Sequence, residues 1–324
     1  MRVRLHALAL GAMLLAMPVA AHAYSTLYVF GDSLSDAGNL FAATHGTEPA
    51  APYVNGEFSN GPIWVQDLSN SLGLGSVTPS TSGGNDYAYG DATTAFAATT
   101  NNVVPNLTQQ VGAFLATNSN TAPSTALYTV WIGANDLFNI LSSGATATVA
   151  AQDAAGAAAS EATAIKDLAA AGARSFLVPL VPDLGKTPAI TVLGTAAETA
   201  ASQLTAYYNT SLQADLATLA GTTGNKVNFL DTYALIDKAV FNPASYGFGN
   251  VTDPCYVGPY TGGGTVCASP SQYLFWDHVH PTAAGQALVA SAAFGLVPEP
   301  GSVTILGVAL GGLAMARRRR RAAA

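Results

Sequence analysis

Positive charge is scarce in this chain of 324 residues. It has 12 lysine and arginine residues against 19 acidic ones, and seven of the 12 lie at the two ends. Residues 24–296 keep five basic residues against 18 acidic ones. A surface so poor in cations argues against a nucleic-acid partner. It also disfavours attraction to anionic membrane surfaces.

Cysteine and histidine are scarce as well. Cys255 and Cys267 are the two cysteines, and no other metal-binding side chains flank them, so the sequence predicts neither a metal site nor a cofactor. In an oxidising compartment we expect these cysteines to form one disulfide that closes a short loop and stabilises the fold by about 3 kcal/mol. Within residues 24–296 the histidines are His45, His278 and His280.

The amino-terminal end has the layout of a secretory signal peptide. Arg2 and Arg4 precede an apolar run over residues 7–17, and the small-residue site Ala21-His22-Ala23 follows. This order predicts a signal peptide over residues 1–23, a mature chain from Tyr24 and export from the cytoplasm.

The carboxyl-terminal end has three parts: Pro298-Glu299-Pro300, an apolar run over residues 303–316, and arginines at 317–321. The run is shorter than the roughly 20 residues that comfortably cross a bilayer, and the arginines favour the cytoplasmic side. Residues 297–324 resemble a PEP-CTERM sorting signal. The resemblance implies an exosortase-type processing enzyme in a Gram-negative bacterium, transient inner-membrane association through the carboxyl-terminal helix, and delivery to the cell surface or exterior. A plain membrane anchor is the alternative.

The segment between the ends predicts one α/β domain over residues 24–296. Strand-like runs at 27–30, 127–132, 175–180 and 227–230 alternate with helical patterns, and no repeat of fixed period is present. Such alternation indicates a mostly parallel sheet covered by helices on both faces. Residues 242–273 are rich in Gly, Pro, Asn and Tyr, and we expect a long ordered loop there. A loop of this length is often functional, for instance as a wall over a site.

A reactive serine is predicted within the motif FGDSLSDAGN at residues 30–39. A short apolar strand precedes the motif, so Ser33 lies where open α/β sheets place their reactive groups. A serine hydroxyl is a poor nucleophile unless a base activates it. Without such a base the motif is an ordinary polar turn.

The base is predicted in the segment Asp277-His278-Val279-His280. A tight turn can place the Asp277 carboxylate against one ring nitrogen of His280, leaving the other to take a proton from a serine hydroxyl. A metal site at His278 and His280 is weaker, because alternate residues of an extended chain point to opposite sides.

Two segments are candidates for holding a developing oxyanion. Asn135 follows the second predicted strand, and its side-chain amide is a suitable donor. An asparagine that caps the following helix is the alternative. Gly90 can offer a backbone N–H where a side chain would block close approach.

In this order the segments resemble the four blocks of the GDSL (SGNH) hydrolase family: Gly31-Asp32-Ser33-Leu34, then Gly90, then Gly133-x-Asn135-Asp136, then Asp277-x-x-His280. The resemblance covers nearly all of residues 26–292. It implies a three-layer, flavodoxin-like α/β/α fold with Ser33 as nucleophile, His280 as base and Asp277 orienting it. The implied oxyanion donors are the N–H groups of Ser33 and Gly90 and the Asn135 amide. Asp91 departs from the pattern, because relatives more often have a second glycine there.

These observations predict a secreted serine esterase that cleaves carboxylic esters through an acyl-enzyme intermediate. The substrate classes left open are lipids, short-chain esters and acetylated glycans. One alternative is an acyltransferase that uses the same triad. Another is an inactive surface protein that binds glycans through its Tyr-rich and Asn-rich loops.

Overall fold

A computed structural model of the chain describes residues 24–95 and 103–297. The predicted signal peptide and all but the first residue of the predicted sorting segment lie outside these ranges. Within the described ranges, no helix has the length and apolar character that a membrane crossing requires.

The centre of the fold is a parallel sheet of four strands, hydrogen-bonded in chain order. The strands are β1 (Leu27–Gly31), β2 (Leu127–Trp131), β3 (Ser175–Pro179) and β4 (Lys226–Leu230). Every residue of β2 and β3 is buried. Burial on both faces explains why these strands are nearly continuous apolar runs instead of alternating polar and apolar residues.

A further extended segment lies on the free edge of β1. The Val29 N–H donates to the Asn85 carbonyl at 3.1 Å, and the Tyr87 N–H donates to the Val29 carbonyl at 2.8 Å. The chain therefore runs from β1 to one side and then crosses over to β2 on the other side. The crevice at the carboxyl ends of β1 and β2 is thus a topological switch point, where open α/β sheets bind their ligands.

Helices connect and cover the strands. They are α1 (Asn39–Ala43), α2 (Trp64–Leu72), α3 (Leu107–Thr117), α4 (Ala134–Ser142), α5 (Ala147–Ala170), α6 (Pro188–Thr191), α7 (Thr195–Gly221), α8 (Thr232–Phe241) and α9 (Ala283–Leu296). Short 3₁₀ turns occur at Ser80–Ser82, Leu184–Lys186, Pro243–Tyr246 and Pro270–Gln272.

The two faces of the sheet bury two separate clusters. Val29, Trp131 and Leu177 pack with α2 and α9 on one face. Phe30 and Phe176 belong to the cluster that α3, α5 and α7 bury on the other face. Neighbouring strand residues thus pack in opposite directions, as the strand period of two requires. The predicted three-layer α/β/α fold with a mostly parallel sheet is confirmed.

The predicted loop over residues 242–273 contains short strands. Strand β5 (Asn250–Pro254) pairs in parallel with β8 (Tyr273–Phe275), and β6 (Tyr256–Val257) forms a hairpin with β7 (Thr265–Val266). A disulfide between Cys255 and Cys267 joins the two ends of the hairpin. The Cys255 N–H also donates to the Phe275 carbonyl at 3.1 Å, which fixes the hairpin against β8.

Candidate active site

Ser33 lies in a tight turn that begins where β1 ends. The N–H groups of Ser35 and Asp36 donate to the Asp32 carbonyl at 3.0 and 3.1 Å. Gly31 precedes the turn with φ +151°, and a Cβ there would lie 2.1 Å from the Trp131 carbonyl oxygen. The motif therefore needs glycine at this position, because β1 and β2 approach each other too closely for a side chain.

The structure brings Ser33, His280 and Asp277 together as a hydrogen-bonded chain. Ser33 Oγ lies 2.7 Å from His280 Nε2, and His280 Nδ1 lies 2.7 Å from Asp277 Oδ2. The three residues are 8%, 4% and 3% exposed. With Nδ1–H donating to the carboxylate, Nε2 is the nitrogen that accepts the serine proton.

The Asp277 carboxylate is held in its charged form. Oδ1 accepts from the N–H groups of Val279 and His280, both at 2.8 Å, and Oδ2 also accepts from the Tyr53 hydroxyl at 2.7 Å. Burial by itself raises the pKa of Asp277, but the charge and hydrogen bonds of His280 and the bond from Tyr53 outweigh it. The net effect lowers the pKa below its ordinary value.

The segment that carries His280 is irregular but tightly bonded. The Trp276 N–H donates to the His280 carbonyl at 2.7 Å, and the Ala189 N–H donates to the His278 carbonyl at 2.9 Å. The His278 side chain is exposed, whereas that of His280 is buried. In the part of the chain that the structure describes, no group of three or more His, Cys, Asp or Glu side chains is arranged to hold a metal ion.

Asn135 lies in the first turn of α4 and lines the same cavity as Ser33. Its Nδ2 donates to the Ala92 carbonyl at 2.9 Å, and it does not cap the helix, which begins after Gly133. An amide nitrogen has two hydrogens, so one remains for a ligand. The Ser33 N–H has no acceptor among the described residues and is the second available donor.

The Gly90 N–H is engaged elsewhere. It donates at 2.7 Å to Oδ2 of Asp36, a buried carboxylate, and Gly90 does not line the cavity. This N–H is therefore not a free donor in the structure. Asp91 does line the cavity, with φ +66°, a left-handed conformation that favours glycine. That backbone geometry is a physical reason for a second glycine at this position in related proteins.

A cavity of about 410 Å³ opens at the triad. Most of its lining is apolar and includes Leu34, Leu40, Phe58, Val104, Phe138 and Leu184. Its described lining has four carboxyl groups, those of Asp32, Glu48, Asp91 and Asp183, and neither lysine nor arginine. Such a lining suits an apolar group and disfavours an anionic one.

Two further carboxyl groups are buried next to the triad, and their burial is not predicted by the sequence motifs that contain them. Asp32 follows β1, and burial raises its pKa to about 7 even though its Oδ1 accepts from the Leu34 N–H at 3.0 Å. Asp136 accepts from the N–H and hydroxyl of Thr94, both at 2.9 Å, and burial raises its pKa to about 6. Asp136 thus ties the Asn135 segment to the one that follows Gly90.

Tyr53 and Gln110 are parts of the site that no sequence motif predicts. Gln110 Oε1 accepts from the Gly31 N–H at 3.0 Å, and its Nε2 donates to the Gly31 carbonyl at 2.8 Å. Both residues reach the site from segments far away in the chain, and neither has a motif around it. The one signal that could have pointed to Gln110 is its place beside Leu107, Val111 and Phe114 on the apolar face of α3, since a buried amide needs hydrogen-bond partners.

Residues 27–293 match the model of the protein family described as GDSL-like Lipase/Acylhydrolase. Esterase EstA of Pseudomonas aeruginosa is 32% identical over 331 residues, covering 87% of this chain and 48% of that protein. A phosphatidylcholine-sterol acyltransferase of Aeromonas hydrophila is 30% identical over 243 residues, covering 74% of this chain and 67% of that protein.

The chain therefore spans about half the length of the Pseudomonas esterase. Among solved structures it is similar to phospholipase A1 from Streptomyces albidoflavus NA297. That similarity has a TM-score of 0.46 at 14% identity and covers 85% of this chain and 100% of that one.

Proposed function

This chain belongs to the GDSL-like lipase and acylhydrolase family, and we propose that it is a secreted serine esterase. It would cleave carboxylic esters through an acyl-enzyme intermediate. The observation that carries the proposal is the buried chain of two 2.7 Å hydrogen bonds from Ser33 through His280 to Asp277. These hydrogen-bonded residues lie at the switch point of the sheet, beside a cavity large enough for an ester.

The geometry supports a double-displacement reaction. Ser33 Oγ attacks the ester carbonyl carbon while His280 Nε2 takes the hydroxyl proton, and Asp277 stabilises the imidazolium that forms. His280 then gives that proton to the leaving alcohol as the C–O bond breaks. Water attacks the acyl-enzyme in the same way, with His280 again accepting and returning a proton, and this step releases the acid and regenerates Ser33.

Two donors are available for the tetrahedral oxyanion in this proposal, the Ser33 N–H and the Asn135 amide. Donors that are already in place when charge develops cost no reorganisation, which makes them effective in a buried site. A third donor at Gly90 would require its N–H to leave the Asp36 carboxylate. Because the Gly90 N–H donates to Asp36 in this structure, we give it no role in binding the oxyanion.

The cavity lining supports an uncharged ester as substrate. Apolar walls fit an acyl chain, and Asp32, Glu48, Asp91 and Asp183 disfavour esters that carry a negative charge. Lipids, short-chain esters and acetylated glycans all remain within this class. Rates of hydrolysis of a chain-length series of neutral esters and of acetylated xylan separate these classes. A succinylated counterpart of each substrate tests whether a negative charge lowers the rate.

An acyltransferase is the second candidate, and the similarity to a phosphatidylcholine-sterol acyltransferase favours it. An acceptor alcohol would take the place of water in the second displacement, with the same triad. Product analysis with and without an added alcohol distinguishes the two activities. A purely glycan-binding protein is disfavoured, because binding has no use for a serine hydroxyl bonded to a buried histidine.

Export is proposed from the two end segments. Residues 1–23 would direct secretion, and residues 297–324 would be handled by an exosortase-type enzyme after transient association with the inner membrane. The disulfide between Cys255 and Cys267 supports a periplasmic, surface or extracellular location, because disulfides persist in oxidising compartments.

The decisive test is replacement of the nucleophile. Ser33→Ala is expected to lower turnover of a neutral p-nitrophenyl ester by at least about 10⁴-fold and to abolish labelling by a fluorophosphonate. Ser35→Ala is the matched control, because Ser35 is in the same turn but its hydroxyl accepts from Trp64 Nε1 at 3.1 Å. This control should keep both activity and labelling. Full activity in folded Ser33→Ala would overturn the proposal.

The oxyanion role of Asn135 has its own paired test. Asn135→Ala is expected to lower kcat by about 10²–10³-fold and also to cost about 1 kcal/mol of stability, because its Nδ2 donates to the Ala92 carbonyl at 2.9 Å. Asn106 caps α3 and accepts from the Gln109 N–H at 3.0 Å. Asn106→Ala should also lose about 1 kcal/mol of stability, but with kcat retained. Identical behaviour of the two variants would exclude the oxyanion role.

A further inference from the structure

Tyr53 donates a hydrogen bond at the far end of the triad. Its hydroxyl lies 2.7 Å from Asp277 Oδ2, the same oxygen that accepts from His280 Nδ1 at 2.7 Å. Tyr53 is 4% exposed, and Asp277 is 3% exposed. Ser33, His280, Asp277 and Tyr53 thus form one continuous hydrogen-bonded chain that is shielded from solvent.

The Tyr53 ring is fixed in place by packing. It makes edge-on contacts with Phe58, Tyr256, Tyr260 and Trp276, with ring centroids 5.3–6.1 Å apart. Edge-to-face contacts of this kind add stabilisation beyond the area they bury. The phenol therefore has one orientation available, and in that orientation it points at Asp277.

The loop that carries Tyr53 is bonded to the segments on both sides of the triad. The Ala50 N–H donates to the Tyr260 carbonyl at 2.7 Å. The Ser59 hydroxyl donates to the Pro281 carbonyl at 3.1 Å, and Asn60 Oδ1 accepts from the Ala283 N–H at 2.7 Å. These bonds hold the loop against the histidine segment, so the contact between Tyr53 and Asp277 is built into the fold.

We propose that Tyr53 is a positioning residue for the base, acting through Asp277 to limit how firmly His280 holds its proton. This role rests on the esterase function proposed above. The phenol takes part of the negative charge of Oδ2, so the carboxylate attracts the imidazolium less strongly than it would alone. His280 then returns its proton more readily to the leaving alcohol, the step in which it acts as an acid.

The phenol remains a donor over the working pH range. Burial and the Asp277 charge both raise the pKa of Tyr53 above its ordinary value, so it stays protonated. The other titratable groups that act on the triad from neighbouring elements are Asp32, Tyr256 and Tyr260, and Asp91 and Glu48 act on Tyr260. Tyr53 differs from them because it donates directly to the oxygen that orients His280.

The test compares Tyr53→Phe with Tyr256→Phe. Tyr256 belongs to the same aromatic cluster, but its hydroxyl donates to the Pro259 carbonyl at 2.7 Å. Tyr53→Phe should move the acidic limb of the kcat/KM profile to higher pH by about half a unit and lower kcat on the order of tenfold near neutral pH. KM should change little. Tyr256→Phe should leave the limb where it is in the wild-type enzyme.

A second variant keeps the test decisive if Tyr53→Phe does not fold. Fluorotyrosine at position 53 keeps the shape of the ring and makes the phenol a stronger donor, so the limb should move to lower pH. An unmoved limb in both variants, while turnover still depends on Ser33, overturns the role of Tyr53 alone. Turnover that does not depend on Ser33 overturns the esterase function instead.

Discussion

The serine side and the histidine side of the site are built in different ways. Ser33 follows β1, and buried carboxylates that accept from main-chain N–H groups organise the segment after it. His280 lies in an irregular segment that a neighbouring loop, a cluster of aromatic rings and a disulfide-closed hairpin hold in place. The nucleophile is thus fixed by electrostatics close to the sheet, whereas the base is fixed by packing between distant parts of the chain.

Asp36 is the centre of the serine side. Its two carboxylate oxygens accept from the N–H groups of Gly38, Asn39, Leu40 and Gly90 at 2.5–3.1 Å. Asp86 lies nearby and accepts from the N–H groups of two alanines, Ala37 at 2.6 Å and Ala88 at 2.9 Å. Burial dominates the balance and raises the pKa of Asp36 to about 6.

Asp277, on the histidine side, shows the reverse balance. Its pKa is lowered because the attraction of His280 and the surrounding hydrogen bonds exceed the cost of burial. Both sides therefore use buried carboxylates, but with different partners. On the serine side the partners of Asp36 and Asp86 are backbone N–H groups, whereas on the histidine side Asp277 also has an ionisable partner, His280. We therefore expect mutations on the two sides to differ in how much stability they cost, and the stability of the two sides to depend on pH with opposite signs.

The largest expected effect comes from removing the Asp36 carboxylate. Asp36→Ala leaves four buried N–H groups without an acceptor, and each such loss costs about 1–3 kcal/mol. Relief of repulsion from Asp86 offsets part of this cost. We expect a loss of at least about 4 kcal/mol of unfolding free energy, a large share of the stability of an ordinary domain. Urea denaturation followed by circular dichroism measures it.

Asp36→Asn is the matched control for that experiment. Asn keeps one acceptor oxygen of the two, so its stability should lie between those of the wild type and Asp36→Ala. The Tyr53→Phe variant on the histidine side should lose less stability than either, because its ring packing is kept. If Asp36→Ala were as stable as Tyr53→Phe, the contrast between the two sides would not hold.

The triad and the sheet were predictable because their signals are local. Asp277 and His280 are three residues apart, and each strand is a short apolar run between turns. Ser33 and His280 are 247 positions apart, yet each is marked by its own motif. The prediction that they meet follows from the rule that reactive groups gather at the carboxyl ends of parallel strands.

The contact of Tyr53 with Asp277 and that of Gly90 with Asp36 were not predictable, because no local sequence signal marks them. Tyr53 lies 224 positions from Asp277 in a loop without periodicity, and only the folded chain shows that the two meet. The edge segment at 85–87 contains Asn and Asp, so it lacks the apolar pattern of a strand. Its position against β1 is what places Gly90 within reach of Asp36.

The smallest expected effect is a difference in how stability depends on pH. Burial raises the folded-state pKa of Asp32 to about 7, above its unfolded value. Its contribution to stability is therefore complete below about pH 4 and is lost as the pH rises through about 7. Asp277 has the opposite sign, because its lowered pKa gives stability that is lost as the pH falls.

Asp32→Asn should remove about 2 kcal/mol of the decline in unfolding free energy between about pH 5 and pH 7. Asp167→Asn, at an exposed position of α5, is the control and should leave that slope unchanged. Urea denaturation at a series of pH values measures both. The amide that Asp32→Asn introduces cannot ionise, whereas the Asp32 carboxyl can. An unchanged slope in Asp32→Asn would therefore mean that ionisation of the buried Asp32 carboxyl does not cause the decline in stability.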